Sequence, residues 1–145
     1  MISEQPIGEL ADPPAWRWDS DLCILELAGG LRRIKLARGG WGIMTQLSKA
    51  RRYSMSTAAL AWDCNIAPWC VRERVYRIRI ALAAAGIRPP ELLLRTDVRH
   101  RKLCQGQPGV YSLADPYELA QVTAWREIVA SWRLTDAKRR QLSDA

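Results

Sequence analysis

Apolar positions recur at helical spacing in four places along the chain. Between them lie shorter stretches that alternate or end in turn residues. The clearest run is APWCVRERVYRIRIALAAAG, residues 67–86, where Val71, Val75, Ile78 and Leu82 follow at steps of four, three and four. That spacing puts the four side chains on one face of a helix. Pro68 suits the first helical position, and Gly86 followed by Pro89-Pro90 ends the run. Trp41, Ile43, Met44 and Leu47 predict an earlier helix running to Ala50, although Gly39, Gly40 and Gly42 weaken its start. Ser56 reads as the N-cap of a short helix through Trp62. Asp115-Pro116-Tyr117-Glu118 starts a last helix carrying Val122, Trp125, Val129 and Trp132.

Strand signals flank these helices. Leu22 and Ile24, with Trp18 or Leu27, suggest a first strand. Ala28-Gly29-Gly30 reads as a turn, and Leu31 to Leu36 alternates apolar and charged residues. Together they predict an N-terminal hairpin. A second hairpin is expected from Glu91–Val98 and Val110–Leu113, with Arg99-His100-Arg101-Lys102 and a Gln105–Gly109 turn at its tip. Residues 1–15 read as a flexible acidic arm and residues 135–145 as a polar, fraying tail. The expected organisation is therefore a domain over residues 16–114, then a helix over 115–134. The fold class is α+β, mainly α, with a three-helix core.

Charge sharpens this picture. The 145 residues carry a net +7, but unevenly: residues 1–31 hold −5, residues 32–102 hold +12, and the remainder is balanced. A concentrated positive middle is the footprint of a polyanion binder. Arg72, Arg74, Arg77 and Arg79 punctuate the helix at 67–86, with only Glu73 among them. Arginine on such a helix can bond two base acceptors at once or hold phosphates.

Other chemistries lack their residues. No charged start leads into an apolar run, and no stretch reaches the ~20 apolar residues that span a bilayer. A cytoplasmic, nucleoid-associated protein with no membrane contact is expected. Cys23, Cys64, Cys70 and Cys104 are then reduced thiols. Cys64, Cys70, His100 and Cys104 do not have the tight spacing of a zinc knuckle, so no metal is expected. No nucleophile stands beside a base, and no glycine loop has the form of a phosphate cradle. Neither enzymatic activity nor a cofactor is expected.

Strand pair, three helices and basic hairpin form the order of a winged helix-turn-helix, and the chain resembles its OmpR/PhoB-type version. Ile34-Lys35-Leu36, Trp41, Ile43-Met44, Leu47, Ser56 and Leu60 fall where that family has a strand end, a first-helix aromatic, a helix core, a serine cap and a core leucine. Val71, Val75, Ile78-Arg79 and Leu82 match its recognition helix, and Gly109-Val110-Tyr111 resembles the step that closes its wing. The resemblance covers roughly residues 20–114. It implies a sequence-specific regulator of transcription, from a bacterium or its phage, that binds double-stranded DNA. The recognition helix, 68–86, would enter the major groove and the wing, 95–110, would touch backbone and minor groove.

By the same resemblance Arg77 is the base-contact candidate, and Arg72 and Tyr76 are backbone candidates. Arg74 and Arg79 occupy other contact positions, and Thr96, Arg99, Arg101 and Lys102 belong to the wing. The chain departs from the family in three ways. The arm is too short for a receiver domain, so phosphorelay control is not implied. The link between second and third helices, which meets RNA polymerase in several relatives, is short. The wing is longer than usual. The C-terminal helix has two readings, packing over its own domain or pairing two copies into a homodimer. A second class of function is a protein-interaction module whose basic face meets an acidic partner.

Overall fold

The computed structural model describes residues 12–97 and 109–144. Over these residues the chain is α+β, with five helices and two small antiparallel sheets. The first sheet has strands β1 (Trp16–Asp19), β2 (Ile24–Leu27) and β3 (Arg32–Lys35), in that order. Helix α1 (Arg38–Lys49) follows, then strand β4 (Ser54–Ser56), helix α2 (Thr57–Cys64) and helix α3 (Pro68–Ala84). Strands β5 (Leu94–Asp97) and β6 (Val110–Leu113) pair with each other, and β4 pairs with the far edge of β6. Helices α4 (Pro116–Leu119) and α5 (Thr123–Asp144) complete the order.

The expected hairpin is present as β2–β3, but a third strand precedes it. Leu22, expected inside a strand with Ile24, is exposed in the turn before β2. There the Asp19 carboxylate accepts the N–H groups of Asp21 and Leu22, each at 3.0 Å, which closes the turn locally. Pairing decides β1. Trp16–Asp19 aligns against Ile24–Leu27, and the Trp16 indole is buried, donating to the Ala114 carbonyl at 2.6 Å. A chain with no phenylalanine uses tryptophan for such joints. Trp18 donates to Thr45 Oγ1 of α1, and Trp41 to the Leu36 carbonyl. Each buries a large apolar ring while pairing its one polar hydrogen.

Helix boundaries follow local chemistry. The Ser56 hydroxyl accepts the Ala59 N–H and caps α2, as expected. Asp115 caps α4 through Tyr117 and Glu118. Gly86, at φ +105°, reverses the chain after α3. The glycines at the start of α1, an apparent weakness in sequence, permit close packing. A Cβ on Gly40 would lie 3.0 Å from Ile78 Cγ1, so this position lets α1 lie close against α3.

Both ends depart from expectation. Residues 1–11 of the expected arm lie outside the described residues, but residues 12–15 are tied down. Ala15 is buried, donates to the Pro116 carbonyl and accepts from Ala28, while Asp12 meets Arg126 at 2.8 Å. The helix expected over 115–134 is two helices, and the expected tail is helical through Asp144. Arg32 explains part of that extension. Its guanidinium grips Asp136 with two bonds, at 3.0 and 3.1 Å, and lies 5.3 Å from the Trp132 ring centroid. Trp125, Val129 and Trp132 join the cluster that also holds Leu25, Leu47, Leu82 and Leu113. None of the described helices is long and apolar enough to cross a membrane.

Candidate nucleic-acid interface

Helix α3 is anchored by the four residues that define its periodicity. Val71, Val75, Ile78 and Leu82 are all buried. It follows α2 across a three-residue turn, in which Asn65 takes the left-handed conformation and Ile66 donates to the Ala61 carbonyl at 2.9 Å. Asparagine visits that conformation more readily than most residues, because its short polar side chain can hydrogen-bond locally. Proline at the first position of α3 then sacrifices no helical hydrogen bond.

A second stripe runs along the opposite side of the same helix. Trp69, Glu73, Tyr76 and Ile80 repeat the four-three-four spacing of the buried set, displaced by two residues. Two residues turn an α-helix by about 200°. This stripe therefore faces away from the core, and its apolar members are largely exposed: Trp69 by 62%, Tyr76 by 63% and Ile80 by 50%. Trp62, in the last turn of α2, is 86% exposed. The arginines flank this ridge.

Their environments separate the four. Arg72 is exposed. Arg77 is exposed too, and its guanidinium lies 3.5 Å from Glu73. An exposed pair one helical turn apart contributes only about 0.3–0.5 kcal/mol, so Arg77 can exchange this partner for another anion at little cost. Arg74 is half-buried, its stem lying against the start of α1 beside Gly39. Its charge also acts on Cys64, whose thiol is nevertheless pushed up by burial.

Arg79 does not project outward as expected. Its Nε donates to the Leu94 carbonyl at 3.1 Å and its Nη2 to Thr96 Oγ1 at 2.6 Å, with Glu91 at 4.0 Å. Only 19% of its side chain remains exposed. Arg79 thus ties α3 to β5, and the Thr96 hydroxyl is engaged by the same arginine. Arg79 is thereby engaged within the fold, while Thr96 stays exposed beside it. The cause is tertiary: β5 brings a carbonyl and a hydroxyl within reach of a planar donor fork.

The sheet beside α3 is fixed from within. Thr57, buried, donates its hydroxyl to the Gly109 carbonyl at 3.0 Å, joining the start of α2 to the entrance of β6. Tyr111 of β6 is buried, which raises its phenol, although the charges of Arg79 and Arg72 oppose that shift. Arg74 and Arg77 line a cleft against α1. Arg99, Arg101 and Lys102 of the expected wing, with His100 and Cys104, lie outside the described residues. No cluster of three metal-ligating side chains occurs among the described residues.

The ridge of Trp69, Tyr76 and Ile80 is what a search for basic residues overlooks. Its signal lies in the sequence, since repeating the core spacing two residues earlier selects it. Comparison with known proteins finds nothing similar: no protein-family model, no curated protein and no solved structure matches the chain.

Proposed function

We propose that the chain is a winged helix-turn-helix protein that binds double-stranded DNA at chosen sequences and regulates transcription. In this reading α2 and α3 are the helix pair, α3 enters the major groove, and the β5–β6 hairpin is the wing over backbone and minor groove. The order α1, β4, α2, α3, β5, β6, with β4 paired to β6, supports it. The observation that carries it is the bare outer side of α3, flanked by the exposed Arg72 and Arg77 and held rigid by four buried residues. An α-helix, about 10–12 Å across with its side chains, fits a major groove about 12 Å wide. Phosphate contacts supply affinity, and base edges supply choice of site.

A second reading, a protein-interaction module whose basic face meets an acidic partner, is favoured by the exposed indole of Trp62. Selection of bound sequences from a random duplex pool separates the two. A DNA regulator enriches a defined site, and an interaction module enriches none at physiological salt. With a site in hand, Arg77→Ala should flatten discrimination by about 1–3 kcal/mol at one position. Arg101→Ala should weaken all duplexes alike. Equal effects from both would contradict the assigned roles.

A further inference from the structure

The outward stripe of α3 carries more than charge. Its summit alternates indole, carboxylate, phenol and branched alkyl, and the arginines stand beside it. From Trp69 to Ile80 the ridge is about 16 Å long at 1.5 Å per residue, or four to five base steps. Whatever α3 docks against must accept apolar atoms at both ends of that length and cations along the sides.

Duplex DNA meets both demands in one way. Base edges in the major groove are polar, with one exception, the 5-methyl group of thymine. An indole or isoleucine pressed on a purine edge would strip water from acceptors and return no hydrogen bond. Pressed on a methyl group, it buries apolar surface on both sides. Glu73 sits between the apolar ends, where an acceptor-only carboxylate suits an amino group such as cytosine N4 and repels purine acceptors. Arg77, 3.5 Å away, balances its charge.

We infer that Trp69, Tyr76 and Ile80 form a reader of thymine methyl groups, a specificity device that rests on the reading of α3 as the groove-entering helix. The phosphates beside the groove complement Arg72, and base acceptors within it complement Arg77. An apolar protein surface would leave those two cations facing it without anions.

Uracil in place of thymine removes the methyl group alone and leaves base pairing and phosphate charge intact. The full chain would be titrated with its selected duplex and with the same duplex synthesised with uracil. Burial of one methyl corresponds to roughly a fourfold change in affinity. Two or three methyls predict that the uracil duplex binds on the order of 15–60-fold more weakly. Trp69→Ala and Ile80→Ala, both at exposed positions, should each weaken the thymine duplex and narrow the difference between the two duplexes. Equal affinity of thymine and uracil duplexes, with salt-dependent binding retained, overturns the methyl reader while the DNA-binding reading stands. A selected site without thymine at either end of the footprint does the same. No binding to either duplex at any salt concentration overturns both, and leaves a protein surface as the partner of the ridge.

Discussion

Helices α3 and α5 are built from similar parts and present them in opposite ways. Both carry arginine and tryptophan around a buried apolar stripe. On α5, Trp125 and Trp132 are buried and meet edge to face at 5.9 Å between ring centroids. Arg126 of α5 reaches Asp12, and Asp136 of α5 receives Arg32. On α3, Trp69 and Tyr76 point outward, and Arg72 and Arg77 remain exposed with one carboxylate, Glu73, among them. Around α5 cations find nearby anions and serve the fold. Around α3 the outer cations Arg72 and Arg77 stay exposed, and Arg79, turned inward, is the exception.

Substitutions should separate the two helices, and the largest effect belongs to α5. Trp132→Ala removes a buried ring that touches Trp125, the Arg32 guanidinium and Gly86. Urea unfolding should show a loss of about 3–5 kcal/mol. A loss under about 1 kcal/mol would mean that α5 is dispensable to the core. Arg79→Ala should come next, at about 1–2 kcal/mol, because it leaves the Leu94 carbonyl and Thr96 without their charged donor. Arg79→Lys should recover little of this, since an ammonium cannot span two acceptors as a planar fork does. Full stability in both would return Arg79 to the set of partner-binding residues.

The Arg32–Asp136 pair yields a smaller effect with a definite sign. Arg32 holds the Asp136 carboxyl below its ordinary value of 3.8. A depressed folded-state value stabilises the fold above the unfolded value, and that stabilisation is lost as pH falls through the folded one. Stability should therefore decline below about pH 4, and Asp136→Asn should lower stability at neutral pH and flatten that acid limb. An unchanged acid limb would show that the grip adds nothing to the fold. The smallest stability effect belongs to α3. Trp69→Ala should change unfolding by no more than about 0.5 kcal/mol, as exposed positions do. A core-sized loss would mean that the ridge packs against the protein itself.

Local chemistry made much of this legible in advance. The buried face of α3, the Ser56 and Asp115 caps and the reversal at Gly86 each follow from residues within a few positions of one another. What escaped depended on distant partners. Ser54–Ser56 has no strand pattern of its own and becomes β4 only by pairing with β6. Trp16–Asp19 becomes β1 through pairing with β2 and the Ala114 carbonyl. The polar segment after Leu134 reads as a tail until Arg32, 104 positions from Asp136, is brought against it. In the candidate site the exposed Arg72 and Arg77 could be picked by composition, but Arg79 and Thr96 could not be told apart from them without β5 beside α3. The ridge follows from residue spacing and not from charge.

The claim at the centre is that the outer side of α3 meets duplex DNA. The most direct test is the salt dependence of duplex binding by the full chain and by the variant Arg72→Ala. The wild type should give a steep negative slope of log affinity against log salt. For every phosphate that the variant no longer neutralises, the magnitude of that slope should fall by about 0.9. Identical slopes for the two proteins, or no duplex binding by the wild type even at low salt, would contradict it.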